Sequence, residues 1–238
     1  MWSIDPKPHY NAQRELPNDR SRILMPAEKT VLDRTRARRR AAPAGPERSD
    51  RRREEILAAA LKLFSEKGYA ATSTKDIGKE IGLLAGSLYY HIRSKEDLLY
   101  EILLDLHTYA LAEMATIKAM GGSPLDRLRL LIRNHVISPD VPRIRLFESE
   151  FHHLNADRHA KIHNMRNNYL RYTIALIEEA QASKLCSSDV DARAAALAIL
   201  GLVNSMPRWF NPSGQTGIEL MAETIDRLLM GGLGAKLA

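Results

Sequence analysis

The chain has 238 residues, of which 45% are hydrophobic but only 6% are aromatic, so a folded core must be mostly aliphatic. Its formal net charge of +6 is concentrated in residues 1–53, which contain 14 of the 35 Lys and Arg residues but only 7 of the 29 Asp and Glu residues. The sequence has neither an apolar run long enough to span a membrane nor a signal-peptide core, which argues against a membrane or secreted protein and predicts a cytoplasmic location.

Residues 1–49 contain six prolines and no sustained apolar period, which predicts a disordered basic arm. Such an arm can neutralise phosphates and so add affinity for DNA without reading bases. The alternative is a solvated tail with no partner. No segment before Met25 has a structural pattern, so Met25 is a candidate for the native start.

A helical pattern of apolar residues begins at Asp50, and Gly68 ends this first helix. Ser73 and Asp76 are spaced as a capping box at the start of a short second helix, which Gly82 ends in a tight turn. Further helices are predicted over residues 85–91, between Ser94 and Gly121, and over residues 125–136, 143–154, 158–183, 190–210 and 218–230. No alternating strand pattern occurs, so the prediction is an all-α fold of about nine helices.

Two short helices around a glycine turn form a helix-turn-helix pattern at about residues 73–92. The second helix has small residues at its start and aromatic residues at its end, in the segment Ala85-Gly86-Ser87-Leu88-Tyr89-Tyr90-His91. Small residues let a recognition helix approach base edges in the major groove, and hydroxyl, imidazole and cationic groups around it hold phosphates. The candidates for phosphate contacts are Ser73, Lys75, Tyr89, His91 and Lys95.

About 50 residues resemble the TetR family of one-component repressors in both spacing and residue type. The matching residues are Arg52 to Leu57, Phe64, Gly68, Tyr69, Thr72 to Ile77, Gly82, Gly86 to His91, Ser94 to Glu96 and Leu99. The resemblance implies phosphate contacts from Tyr89, His91 and Lys95, backbone contacts from Ser73, Thr74 and Lys75, and an approach to bases by Ala85, Gly86 and Ser87. Tyr90 belongs to the same candidate set, although Tyr89 is expected to face the DNA and Tyr90 to pack.

This resemblance implies three segments with different roles. Residues 1–49 are the arm, residues 50–110 are a DNA-binding domain, and residues 111–238 are a helical domain for effector binding and dimerisation. Three positions depart from the commonest family pattern, namely Gly78, Leu84 and Ile92 where Ala, Ser and Phe are usual. Leu84, together with the stretch Arg208 to Gly214, is similar to actinobacterial regulators of fatty-acid and steroid breakdown, whose effector is often an acyl-CoA thioester.

Candidate effector contacts are polar residues on otherwise apolar helix faces, because ligand pockets are typically apolar with a few placed polar groups. They are Arg143, Arg145, Glu148, Arg166, Tyr169, Tyr172, Asn204 and Arg208. The arginines would suit the phosphates of an acyl-CoA. The alternative is that they pair on the surface with Glu148, Glu150, Glu178 and Glu179.

The last two long helices predict a four-helix interface between two copies of the chain. The predicted seam consists of Ala192, Ala194, Ala195, Ala196, Ala198, Ile199, Gly201, Leu202 and Val203 on one helix and Ile218, Met221, Ile225, Leu228 and Leu229 on the other. The alternative is that these apolar stripes are buried only within one subunit.

Four histidines lie close together in sequence: His152, His153, His159 and His163. The i, i+4 spacing of the last two can hold zinc on a helix, but isolated surface histidines explain the pattern equally well. We therefore expect no metal site and no cofactor. The sequence has no phosphate-binding glycine loop, nucleophile elbow or zinc-protease motif, so we expect no enzyme.

The sequence thus predicts a ligand-responsive repressor that binds double-stranded operator DNA as a homodimer and responds to an apolar or acyl-CoA-like effector. One alternative is a DNA-binding protein without a ligand, which a sealed C-terminal bundle would favour. Another is a helical enzyme or small-molecule carrier that uses the bundle cavity and binds no specific DNA sequence.

Overall fold

α-Helices make up the regular structure of the chain, which a computed structural model describes over residues 46–137, 140–211 and 214–235. Within those residues no strand occurs, and the structure consists of nine α-helices and one turn of 3-10 helix. In chain order they are α1 (Pro46–Lys67), α2 (Thr74–Glu80), α3 (Ala85–Leu88), α4 (Lys95–Met120), α5 (Pro124–Ile137), α6 (Val141–Glu150), the 3-10 turn (Phe151–His153), α7 (Ala156–Ala182), α8 (Ala192–Trp209) and α9 (Ile218–Gly232). The all-α prediction is confirmed.

Helix α1 begins at Pro46, earlier than the predicted start at Asp50. Proline suits the first turn of a helix because its missing N–H would have no intrahelical acceptor there. Residues 46–49 therefore belong to a helix and not to the basic arm. The rest of the predicted arm, residues 1–45, lies outside the described residues.

Helix α3 ends at Leu88, before the predicted end at His91. The backbone continues as a tight turn, in which the N–H groups of His91 and Ile92 donate to the Leu88 carbonyl at 2.9 and 3.1 Å. The guanidinium of Arg53 donates to the His91 carbonyl in this turn. A contact from α1 thus accompanies the early end of α3.

The apolar residues form two cores. The N-terminal core consists of α1, α2, α3 and the first half of α4, and Leu146, Leu154 and Ile162 complete it from later in the chain. The C-terminal core consists of α5, α7, α8 and α9 together with Ile117 near the end of α4. Helix α4 is about 39 Å long at 1.5 Å per residue and contributes to both cores. The predicted domain boundary after residue 110 therefore falls inside a continuous helix.

The faces of α8 and α9 are divided between the C-terminal core and solvent. Five residues of the predicted dimer seam are buried within the subunit instead: Ala192, Ala196, Ile199, Val203 and Ile225. Residues of the same helices that remain exposed are Ala194, Leu197, Ala198 and Gly201 on α8 and Leu220, Thr224 and Leu228 on α9. The predicted seam was therefore partly wrong, because one side of each stripe fills the C-terminal core.

The connection between α1 and α2 is closed by hydrogen bonds to backbone carbonyls. Gly68 adopts a φ of +84° after the end of α1, and the buried Thr72 hydroxyl lies 2.8 Å from the Gly68 carbonyl and 3.2 Å from the Leu63 carbonyl. The ammonium of Lys95 donates to the carbonyls of Tyr69 and Thr72, each at 2.8 Å. The first residue of α4 thus fixes the loop that leads into α2.

We expect Thr72→Val to lower the free energy of unfolding by about 1–3 kcal/mol, because a methyl group would replace a buried hydroxyl that is hydrogen-bonded to the Gly68 and Leu63 carbonyls. The matched control is Thr116→Val, since the Thr116 hydroxyl makes a 3.0 Å bond to the Ala112 carbonyl on an exposed helix face. There, water can replace the lost donor, and little change is expected. Urea unfolding of both variants measures the difference, and equal losses would contradict this account of the loop.

Candidate nucleic-acid interface and internal cavity

The capping box at the start of α2 is present as predicted. The Ser73 hydroxyl accepts from the Asp76 N–H at 3.1 Å, and the Asp76 carboxylate accepts from the Ser73 N–H at 2.9 Å and from the Ser73 hydroxyl at 2.5 Å. These hydrogen bonds from Ser73 hold the pKa of Asp76 below its ordinary value. Both donors of Ser73 are thus used inside the box, so its role here is to position α2.

Helix α3 presents an open surface to solvent. Gly86 is exposed, and a Cβ built on it would meet nothing within 4 Å. Ala85 is the first residue of the helix, and Ser87 is half-buried. The hydroxyls of Thr74 and Tyr89 lie 3.0 Å apart, so the start of α2 and the end of α3 share one surface with the exposed Lys75.

The expectation that Tyr90 packs is wrong. Its side chain is 90% exposed, more than that of Tyr89 at 56%. Leu88 and Ile92, four positions apart, take the buried side of this turn and belong to the N-terminal core. Both tyrosines therefore point away from the core, and His91 is half-buried between them and Ile92.

Two cations position the helix-turn-helix from within the protein. Lys95, predicted as a phosphate contact, lies 4.2 Å from the centre of the Tyr69 ring in addition to its bonds to loop carbonyls. Arg53 donates to the His91 carbonyl and to both carboxylate oxygens of Glu101. Arg53 lies within the residues that resemble the TetR family, but its sequence position gave no sign that its side chain would reach His91 and Glu101.

A cavity of about 720 Å³ lies among α4, α5, α6, α7 and α8. Its walls are mostly apolar, and they include Leu106, Ile117, Leu131, Ile144, Phe147, Met165, Leu170, Leu197 and Leu200. Its polar lining residues are His107, Tyr109, Glu113, Asn134, His135, His163, Arg166, Asn167, Tyr169, Arg193 and Asn204. Tyr109 and Leu197 are exposed, so the cavity opens to solvent on that side.

Three of the eight predicted effector residues line this cavity: Arg166, Tyr169 and Asn204. Tyr172 packs beside the C-terminal core instead. The remaining four make contacts elsewhere: Arg143 pairs with Asp140 at 2.6 Å, Arg145 donates to the Pro207 carbonyl at 2.7 Å, and Arg208 pairs with Glu148 at 2.7 Å. For Arg208 and Glu148 the alternative of ion pairing was correct.

The buried polar groups of the cavity favour neutral forms. Burial lowers the pKa of His107 and of His135, although a 2.7 Å contact with the Leu103 carbonyl opposes the shift at His107 and Asn204 opposes it at His135. Burial also raises the pKa of Tyr169. At neutral pH these three side chains therefore offer hydrogen bonds without charge.

The positive charge of the cavity comes from two arginines, Arg166 and Arg193, which are both exposed. Neither has a carboxylate oxygen within 4.0 Å among the described residues. Arg166 lies 4.8 Å from the centre of the Phe147 ring, and burial lowers its pKa while the charge of Glu148 opposes that shift. Glu113 is the acidic lining residue, and it accepts a 3.0 Å hydrogen bond from Asn134.

The four clustered histidines contact different neighbours. His159 stacks on Phe151 at 4.1 Å and lies 6.4 Å from His163, while His153 lies 3.3 Å from Glu150. Among residues 46–137, 140–211 and 214–235, no three His, Cys, Asp or Glu side chains are placed to hold a metal ion.

Helix α6 joins the cavity to the N-terminal core. Ile144 and Phe147 line the cavity, whereas Leu146 is buried in the N-terminal core. Arg145 and Glu148 attach the same helix to the end of α8. A displacement of α6 would therefore change the packing around the cavity, the packing of the N-terminal core and the contacts with α8.

The model of the tetR family of bacterial regulatory proteins matches residues 56–102, and a model described as the tetracyclin repressor-like C-terminal domain matches residues 121–233. A solved TetR/AcrR-family regulator from Thermobifida fusca is 33% identical, with a TM-score of 0.61, over 76% of this chain and 97% of that one. The chain belongs to the TetR family of transcription regulators. The predictions of a helix-turn-helix and of a DNA-binding regulator are thus confirmed.

Two further proteins are similar to this TetR-family regulator. The transcriptional repressor KstR2 of Mycolicibacterium smegmatis is 26% identical over 195 residues, which are 81% of this chain and 95% of that one. The solved complex of AibR with isovaleryl coenzyme A and operator DNA has a TM-score of 0.70 at 23% identity, over 78% of this chain and all of that one. These matches favour a regulator over the alternative of an enzyme or carrier. In the described part of the regulator, no helix has the length and apolar character needed to cross a membrane.

We expect Gly86→Leu to abolish specific DNA binding without loss of stability. The new side chain points into open space, and leucine favours a helix over glycine by about 0.5–1 kcal/mol. In the major groove the same side chain would clash with base edges, which should reduce operator affinity toward the non-specific level, a loss of about 10³-fold or more. Fluorescence anisotropy and thermal unfolding separate the two effects, and normal operator binding would place α3 outside the groove.

Proposed function

We propose that this regulator is a homodimeric repressor, and that an amphipathic anion bound in the cavity releases it from its operator. The observation that carries this proposal is the double role of α6, which lines the cavity with Phe147 and fills the N-terminal core with the adjacent Leu146. The cavity also counts against the alternative of a sealed bundle without a ligand.

The proposed DNA surface combines the start of α2 with α3 and the turn that follows it. Thr74, Lys75, Tyr89, Tyr90 and His91 contact phosphates, while Ala85, Gly86 and Ser87 approach bases. In this proposal Ser73 and Lys95 act mainly by holding α2 and the loop before it, since their donors are already used. A two-fold dimer presents the same helix twice, so the operator is a pseudo-palindrome with half-site centres about 34–36 Å apart or a multiple of that distance.

The proposed dimer forms through the exposed faces of α8 and α9. Small residues on α8, Ala194, Ala198 and Gly201, allow close approach of a second helix. On α9, Leu220, Thr224 and Leu228 recur every four residues on the exposed face, which is the spacing of one helical stripe. Two such helices from each subunit form an isologous four-helix interface.

We expect Leu228→Glu to yield a folded monomer. Leu228 is 66% exposed in the subunit, so the change costs little in folding, but a buried charge at a helix interface is strongly unfavourable. Met120→Glu, at an exposed apolar residue at the end of α4, is the matched control and should leave the dimer intact. Sedimentation velocity at micromolar concentration measures both, and a wild-type monomer would refute the dimer.

The proposed effector is an apolar molecule with an anionic group, of which acyl-CoA thioesters are the best-supported class. The cavity volume of about 720 Å³ lies within the usual range for small-molecule sites. Its apolar walls suit an acyl chain, and Arg166 and Arg193, without ion-pair partners in the described residues, suit a carboxylate or phosphate. The similarity to AibR, which was solved with isovaleryl coenzyme A, supports this class.

Release from DNA follows from a shift between two populations of the dimer. The effector binds more tightly to the form in which the cavity accommodates it, so it favours that form only through this difference in affinity. Occupation of the cavity displaces Phe147 and hence α6. Because Leu146 is packed in the N-terminal core, the displacement reorients the helix-turn-helix and changes the separation of the two recognition helices.

We expect Arg166→Gln to weaken binding of decanoyl-CoA about tenfold or more, because it removes a charge-assisted contact with the anionic group. The matched control is Arg143→Gln, since Arg143 pairs with Asp140 and does not line the cavity. Isothermal titration gives both affinities, and thermal shift against free acids and their CoA thioesters tests the class. Equal loss in the two variants, or a response only to cationic compounds, would refute this effector.

The experiment that tests the whole proposal is genome-wide DNA capture with the purified full-length chain, with and without decanoyl-CoA. We expect a small set of palindromic sites that the thioester releases. Capture without sequence preference would refute the repressor, whereas specific capture unaffected by any thioester would refute only the effector.

A further inference from the structure

Leu84 occupies an unusual place at the start of α3. It is the N-cap residue, with an extended backbone at φ −66° and ψ 144°, and its carbonyl accepts from the Ser87 N–H at 2.9 Å. Its side chain makes no capping hydrogen bond and is 81% exposed. Serine, threonine, aspartate or asparagine at this position would stabilise the helix by accepting a backbone N–H bond. Leucine at this position therefore leaves the start of α3 without a side-chain cap and exposes apolar surface to solvent.

The local backbone directs this side chain away from the protein. Adjacent side chains of an extended segment point to opposite sides, and Leu83 packs against the N-terminal core. Leu84 consequently points outward. Two positions later, Gly86 is exposed with open space in front of it, so the start of α3 combines a protruding apolar side chain with a close backbone approach.

We propose that Leu84 reads a thymine in each operator half-site through contact with its C5 methyl group. The methyl group of thymine is the apolar feature that the major groove presents, and leucine can recognise it without any hydrogen bond. The contact comes from the side chain, and the N–H groups of this short helix take no part in it. The inference rests on the proposed placement of α3 in the groove and adds a base-specific contact to it.

The test uses the operator found by genome-wide capture, with each thymine replaced in turn by deoxyuridine, which removes only the methyl group. For the wild-type protein we expect one position in each half-site at which the replacement weakens binding about fourfold, the effect of losing one buried methyl group. Replacements at other positions should change the affinity little.

Three variants separate reading of the methyl group from a structural role of Leu84. Leu84→Ser should erase the preference for thymine over uracil at that position, while its thermal midpoint stays equal or rises, because serine can cap α3. Leu84→Ala should erase the preference without adding a cap. Leu84→Met keeps an apolar side chain of similar size and should retain most of the preference.

The outcomes distinguish this inference from the proposed function. Tight operator binding by the wild-type protein without any preference for thymine would overturn the role of Leu84 and leave the repressor intact. A preference that persists in Leu84→Ser would assign the methyl contact to another residue and overturn the inference equally. Failure of the wild-type protein to bind any operator would refute both.

Discussion

The packing of Leu146 next to Phe147 is the constraint on which the rest of this regulator depends. Leu146 is buried in the N-terminal core, and Phe147 packs against that core while it also lines the cavity. Leu146 fills the N-terminal core and Phe147 forms a wall of the cavity, where it contacts His107 at 4.8 Å and Phe151 at 5.0 Å between ring centres. Packed interiors respond to displacement by moving between discrete arrangements and not by gradual deformation. A helix shared by two packed regions therefore transmits a change from one to the other.

Polar contacts link α6 and α7 to the surrounding helices. Arg145 and the Glu148–Arg208 pair attach α6 to the end of α8, and Arg158 of α7 pairs with Glu96 and Asp97 at the start of α4. The first turn of α4 is in turn tied to the loop before α2 through Lys95. The helix-turn-helix is thus attached to the remainder of the protein at the start of α4 and through the core residues of α6 and α7. Most of these ion pairs are partly exposed, so they contribute little to the free energy of unfolding. Their main effect is to fix the relative positions of the helices that they join.

Much of the fold could be predicted from sequence because its signals are local. Apolar stripes at helical spacing, the Ser73 and Asp76 box and the glycine turns each act within a few residues. The contact between the Arg53 side chain and the His91 carbonyl could not be predicted, because it joins the turn after α3 to a different helix. The same reason separates the effector candidates that line the cavity from the others. Arg166 and Arg208 look alike in sequence, and only the tertiary structure shows that Arg208 meets Glu148 whereas Arg166 lines the cavity.

The electrostatics of the cavity fix how the proposed effector lies in it. Because burial keeps His107 and His135 neutral, the positive charge comes from Arg166 and Arg193 on the exposed side of the lining. In the proposed complex, an anionic head group would bind on that side, and an apolar tail would extend toward the buried Ile117 and Leu131. This orientation would place the charged end beside the Arg166 guanidinium, which lies 4.8 Å from the centre of the Phe147 ring. In the proposed mechanism, a head group held by Arg166 would act through the Phe147 ring on α6, whose Leu146 is buried in the N-terminal core.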